Sequence, residues 1–232
     1  MGAPQPRVEP QRDPQWRYLV RIAVFLGVAA AGVFFLSIGV RTVNTLRRLE
    51  VVEAERDLWQ RPQDVLRSME LRPGQTALDV GCGAGYFALK LSALVGDQGR
   101  VTAVDVRPLS LAFLRLRAAL AGRHNLVVIH GDATDAPLPS DLDAVLIANT
   151  FHELREPGPL LAHLRRALRR GGRLVVIDPG RTAASDRRER HLVASEAAHQ
   201  LEAAGFAVVS REDGFLADPD GDAWWLLVAR RP

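Results

Sequence analysis

The chain has 232 residues, 47% hydrophobic and 25% charged, with a formal net charge of +3. That is enough for one domain of ordinary size plus an appendage, with apolar content for a sizeable core. Lys90 is the only lysine, so the positive charge is almost all arginine, a bias read as genomic and not as a nucleic-acid function. The single cysteine, Cys82, excludes an intrachain disulfide.

Residues 1–17 form a tail rich in proline, glutamine and arginine, expected to be disordered. Ile22 to Val40, "IAVFLGVAAAGVFFLSIGV", then carries no charged residue. As a helix this run spans about 28 Å, close to the roughly 30 Å of bilayer hydrocarbon. Trp16 and Tyr18 precede it at belt position, and Arg17, Arg21 and Arg41 bracket it. A transmembrane helix over residues 18–41 is preferred to a cleaved signal peptide, whose apolar region is shorter, and to a buried soluble helix. Four arginines before the span and four after it leave the orientation undecided by charge. Residues 42–60 continue as a helix, with Val43, Leu46, Leu49 and Val52 on one side. This segment reads as a solvated juxtamembrane stalk, the rival being a helix lying on the membrane or on the domain.

From Arg61 to Pro232 the pattern alternates. Apolar strand-like runs occur at Thr76–Val80, Val101–Val106, Leu126–His130, Ala144–Ala148 and Leu174–Asp178. Helical stretches lie between them, at Tyr86–Val95, Leu109–Ala121 and Leu160–Leu168. This predicts an α/β fold, a Rossmann-like parallel sheet with helices on both faces and a ligand site at the strands' C-terminal edge. The tail differs: a helix over His191–Ala204 precedes strands at Phe206–Arg211 and Ala223–Arg230. The loop between those strands is too short for a helical crossover, so they are expected to form an antiparallel hairpin.

In "TALDVGCGAGYF", Gly81, Gly83 and Gly85 stand on the turn from the first strand into the first helix. Glycine permits positive φ and close approach of a ligand, and the helix start supplies unpaired N–H donors. A dinucleotide fingerprint would put a third glycine where Tyr86 stands, so the phosphate-cradling pattern is incomplete. Asp79 lies two residues before Gly81. Asp105 ends the second strand, suited to gripping two vicinal ribose hydroxyls. Asp132 follows the third strand, suited to an adenine amino group, with the Ala133 N–H on a ring nitrogen. Three carboxylates without an evident phosphate-binding cation favour a cationic, phosphate-free nucleoside.

The segments "ALDVGCGAGYFALKL", "VTAVDV", "HGDATDAPLP", "DAVLIANTFHEL" and "LRRALRRGGRLVVIDPG" together resemble the ordered motifs of class I S-adenosylmethionine (SAM)-dependent methyltransferases. The resemblance covers residues 61–232. It implies a seven-stranded sheet, mostly parallel with the last strand antiparallel, and SAM as cofactor. It further implies that Gly81, Gly83 and Gly85 shape the methionine pocket. Asp79 would help bind the amino group, Asp105 the ribose, and Asp132 with Ala133 the adenine. Tyr86, Val106 and Asn149 would complete the cofactor site.

Methyl transfer needs positioning more than acid–base help. The candidate base lies in "ANTFHEL", where His152 and Glu153 follow the fourth strand. The "[DN]PP[YF]" run of many amino-directed methyltransferases is missing, so no nucleic-acid partner is expected. His130, His152 and His191 with Asp132 or Asp178 lack metal-ligand spacing, so no metal is expected. The reading is a membrane-anchored methyltransferase acting on a small or lipophilic acceptor, with its domain in the cytoplasm, where SAM is made. A SAM-binding sensor or scaffold without catalysis is the first alternative, and a nicotinamide-dependent oxidoreductase, disfavoured by Tyr86, the second.

Overall fold

The computed structural model describes residues 14–180 and 192–232 of the chain. The order of elements follows the alternation of the sequence: β1 (Thr76–Val80), α3 (Tyr86–Val95), β2 (Arg100–Asp105), α4 (Pro108–Leu120), β3 (Leu126–His130), β4 (Leu142–Ala148), α5 (Pro157–Ala167), β5 (Leu168–Pro179), α6 (Ala194–Ala203), β6 (Ala207–Ala217) and β7 (Ala223–Arg230). Two helices precede them, α1 (Pro14–Trp59) and α2 (Pro62–Ser68), and a 3₁₀ turn (Phe151–Glu153) follows β4. His191, where the sequence starts the late helix, lies outside the described residues.

The seven strands form one sheet in the order β3-β2-β1-β4-β5-β7-β6. β1 to β5 are parallel to their neighbours, whereas β7 runs antiparallel to both β5 and β6. The hairpin expected at the C-terminus is therefore present, with a tighter loop, because β6 continues to Ala217. Chain order reverses between β1 and β4, the switch point where open α/β sheets place their ligands.

Side chains alternate between two cores, as strand geometry requires. Leu78 and Val80 of β1, Val145 and Ile147 of β4, and Trp225 and Leu227 of β7 face one cluster, with α5 and α6. Ala77, Ala144, Leu146, Trp224 and Leu226 face the other, with α2, α3 and Trp59. Asp79, between Leu78 and Val80, therefore points to the second side.

The chain divides into two compact units, one ending at Val51 and the other running from Val52 to Pro232. In the first, α1 is exposed along its apolar stretch and is long and apolar enough to cross a membrane, with mean hydropathy 2.4 in its most apolar window. The second takes in the last eight residues of α1, Val52 to Trp59. Within this second unit Glu53, Asp57 and Trp59 pair with side chains of other elements, as described below.

Candidate functional site

The loop after β1 is drawn towards β2: the Gly81 and Cys82 N–H groups donate to the Val104 carbonyl, at 2.8 and 3.1 Å. Gly81 has φ +72°, and a Cβ there would lie 2.2 Å from Thr150 Oγ1. Gly85 has φ +96°, and a Cβ would lie 2.2 Å from Leu114 Cδ1 of α4. Side chains are thus excluded twice over, by conformation and by space. Gly85 is required by the packing of α4 against the loop. The Gly83 N–H donates to Asp105 Oδ2 at 2.8 Å. Burial pushes the Cys82 thiol up, so it is an inert packing group here.

Asp79 is only 2% exposed, and its Oδ2 has no hydrogen-bond partner among the described residues. Burial first, and then the neighbouring Asp105 charge, push its carboxyl up to about 7, against the pull of the Ala88 N–H and of Arg56. An orphaned, buried carboxylate oxygen is costly unless a donor or cation meets it. An amino group of a ligand supplies both.

Asp105 is equally buried but fully engaged. Its Oδ1 accepts from the Arg107 N–H at 2.7 Å and from Nε at 3.1 Å, and its Oδ2 accepts from Arg107 Nη2 at 3.2 Å as well as from Gly83. Burial opposes its ionisation, but these donors outweigh it and hold the carboxyl below the usual range. The sequence reading missed this cation: Arg107 sits on the two oxygens that a ribose diol would use. Its side chain is 59% exposed and free to turn outward.

Beside these residues lies a cavity of about 190 Å³ at the C-terminal ends of β1 to β4. Gly81, Asp105, Val106, Asp132, Ala133 and Glu153 line it, together with Thr150 and Arg107. The sequence pattern thus brings six of its candidates to one wall. Asp132 is exposed, its Oδ1 accepting from the Thr134 N–H at 2.9 Å, while Ala133 is buried with its carbonyl 2.9 Å from His163 Nδ1. Asp79, Gly83, Gly85, Tyr86, Asn149 and His152 stand off the wall.

At the rim, Asn149 takes φ +52° and its N–H donates to the Ile177 carbonyl at 2.8 Å, turning the chain sharply out of β4. Asparagine is one of the few side chains that tolerate this conformation. The turn brings His152 onto β5. The His152 N–H donates to Asp178 Oδ2 at 2.7 Å, and its Nδ1 lies 3.1 Å from both Asp178 oxygens. Asp178 is completely buried, and burial raises its carboxyl despite the His152 ring and the Thr150 and His152 backbone N–H groups. These contacts hold the ring by its Nδ1 edge, where a carboxylate favours the Nδ1–H tautomer. The sequence signal was an acid at the C-terminal end of the fifth strand, in "VVIDP". Pairing it with His152 required knowing that β4 and β5 are adjacent.

Tyr86 serves α1. Its hydroxyl donates to Asp57 Oδ1 at 2.7 Å, and its ring carries the Arg56 guanidinium 4.0 Å from the centroid. Lys90 adds an ion pair to Asp57 at 3.0 Å. Arg117 of α4 donates from Nη1 both to Glu53 Oε1, at 2.7 Å, and to the Ala84 carbonyl of the glycine loop, at 2.6 Å. Trp59 packs edge-on against Trp224, with 5.5 Å between ring centroids. Among the described residues, no group of three or more His, Cys, Asp or Glu is arranged to hold a metal ion.

The methyltransferase domain model matches residues 77–172, the span from β1 into β5. The demethylmenaquinone methyltransferase of Shouchella clausii is 32% identical over 121 residues, covering 52% of this chain and 51% of that protein. The chain thus spans about half the length of the curated relatives it matches. The solved cyclase SpnF is 23% identical over 75% of this chain and 80% of its own, with a TM-score of 0.65, which shows the fold alone. The crystal structure of a SAM-dependent methyltransferase from Aquifex aeolicus is 30% identical, covers 77% of this chain and 93% of its own, and superposes with a TM-score of 0.66. A likeness of that extent, on the sheet order and the glycine-and-carboxylate edge described above, shows that the chain belongs to the class I SAM-dependent methyltransferases.

Proposed function

We propose that the chain methylates a small lipophilic acceptor of the quinol type, and does so anchored in a membrane with its globular unit on the cytoplasmic side. The observation that carries the chemistry is the His152–Asp178 pair at the rim of the cofactor cavity, flanked by the cavity-lining residues Thr150 and Glu153. The acceptor class is suggested by the demethylmenaquinone methyltransferases among the relatives, and the anchoring by the exposed apolar length of α1.

The orphaned Asp79 oxygen fits a SAM ammonium, and the two Asp105 oxygens fit vicinal ribose hydroxyls once Arg107 swings aside. Asp132 and the Ala133 N–H suit the adenine edge. Bound there, SAM supplies a methyl group already activated on a sulfonium. The protein's own tasks are to align the acceptor, exclude water and handle one proton. An aromatic hydroxyl of a quinol makes its ring a strong nucleophile only when deprotonated. His152 takes that proton, the buried Asp178 carboxylate stabilises the imidazolium that forms, and the methylated ring carbon then loses its own hydrogen as the hydroxyl is re-formed. Glu153, exposed on the same 3₁₀ turn, borders the acceptor side.

Full-length protein in nanodiscs, given SAM labelled in its methyl group, should transfer label to a demethylated menaquinol and only slowly to a water-soluble catechol. Equal rates on both would refute the lipophilic acceptor. Absence of transfer to either, with SAM bound, would favour the sensor reading. A reporter fused after Pro232 that is active only outside the cytoplasm would refute the orientation.

A further inference from the structure

The residue just past α1 is a second orphan. Gln60 is fully buried, and its Nε2 has no hydrogen-bond partner among the described residues. Its Oε1 is held by Arg56 Nε at 2.8 Å, which turns the amide N–H pair away from that bond. Arg56 lies over the Tyr86 ring at the start of α3. The same first turn of α3 donates the Ala88 N–H to Asp79, and Asp79 in turn acts electrostatically on Arg56. Asp79 also points to the sheet face on which Trp59, between Arg56 and Gln60, packs. One small region therefore holds an unpartnered acceptor, an unpartnered donor and a cation. An α-amino acid presents the complement: an ammonium and a carboxylate on one carbon.

We propose that Arg56 and Gln60 bind the carboxylate of the cofactor's amino-acid end, opposite Asp79, so that the helix bearing the apolar span supplies part of the cofactor site. The inference rests on the reading of the cavity as a SAM site and extends it to α1, outside the residues that the family model matches. The pairs Glu53–Arg117, Asp57–Tyr86 and Asp57–Lys90 hold this turn against α3, α4 and the glycine loop. Their role in the proposal is to position Arg56 and Gln60.

Calorimetry on the full chain in detergent tests the proposal with two nucleosides. S-adenosylhomocysteine carries the amino-acid end, and 5′-methylthioadenosine lacks it. Arg56→Gln and Gln60→Leu should each weaken S-adenosylhomocysteine on the order of ten- to a hundred-fold, as for hydrogen bonds to a charged group. Both should leave 5′-methylthioadenosine within about two-fold by the same reasoning, and Arg56→Lys should recover part of the loss. The ratio of the two affinities within each variant controls for general damage. Unchanged S-adenosylhomocysteine binding, or equal loss for both nucleosides, would overturn the proposal. A wild-type chain that binds neither nucleoside would instead overturn the cofactor reading beneath it.

Discussion

Replacing Asp79 by asparagine should make the ligand-free protein more stable at pH 8 and a worse cofactor binder. The substitution keeps the shape and leaves an oxygen for the Ala88 N–H, but removes the ionisable group. Asp79 titrates at about 7 in the fold against an ordinary 3.8, a difference of about 3 units, or about 4 kcal/mol at 1.36 kcal/mol per unit. The folded state holds the proton more tightly than the unfolded chain, so unfolding free energy falls as pH rises from about 4 to about 7, and the full penalty applies above 7. The variant escapes that penalty. Its melting temperature at pH 8 should exceed wild type on the order of 8–16 °C, given about 2–4 °C per kcal/mol for a domain of this size, and the gap should close towards pH 4. Wild-type affinity for S-adenosylhomocysteine should fall as pH drops through 7, when protonation removes the ammonium's partner, while the variant's weaker affinity stays flat. Thermal melts across pH 4–8 with calorimetry at each end check both halves. A variant less stable than wild type at pH 8, or melting curves that shift in parallel with pH, would refute the reasoning.

Three further outcomes follow from individual contacts. Asp178→Asn should lower kcat on the order of 10²-fold by releasing the His152 tautomer, with S-adenosylhomocysteine affinity unchanged by calorimetry; a loss in affinity alone would place Asp178 in structural support. Gly85→Ala should destabilise the fold by roughly 2–4 kcal/mol in denaturant titration, through its clash with Leu114 Cδ1 at φ +96°, and Leu114→Ala in the same chain should recover part of it. Arg107→Ala should tighten S-adenosylhomocysteine a few-fold, because the guanidinium competes for both Asp105 oxygens; weaker binding would mean that Arg107 contacts the ligand itself.

What the sequence made legible was local. The runs Thr76–Val80 and Leu126–His130 coincide with β1 and β3 because turns or glycines bound them sharply. β5 begins six residues before the apolar run Leu174–Asp178, taking in "LRRGG". There the backbone pairs with β4 across a register shift between Leu142 and Ala144, and backbone pairing leaves no hydrophobic trace. Asp105 and Asp132 were readable as candidates because a parallel sheet sends every strand's C-terminal residue to one edge.

What the sequence hid was pairing between elements whose adjacency is set by packing. Asp178 meets His152 across 26 positions and Tyr86 meets Asp57 across 29. The departure at position 86 from a dinucleotide fingerprint was visible, but its physical reason was not. A glycine there could give Asp57 no hydroxyl and Arg56 no ring. Tyr86 thus excludes the third glycine of a phosphate cradle and docks the end of α1 with the same side chain. If Arg56 and Gln60 do receive a carboxylate, the two facts have one cause: a site for a cofactor with an amino-acid end needs a wall where a pyrophosphate site needs an open glycine turn. Tyr86→Gly should then weaken S-adenosylhomocysteine binding in calorimetry while leaving 5′-methylthioadenosine bound. Retention of full S-adenosylhomocysteine affinity would separate the docking of α1 from the recognition of the cofactor.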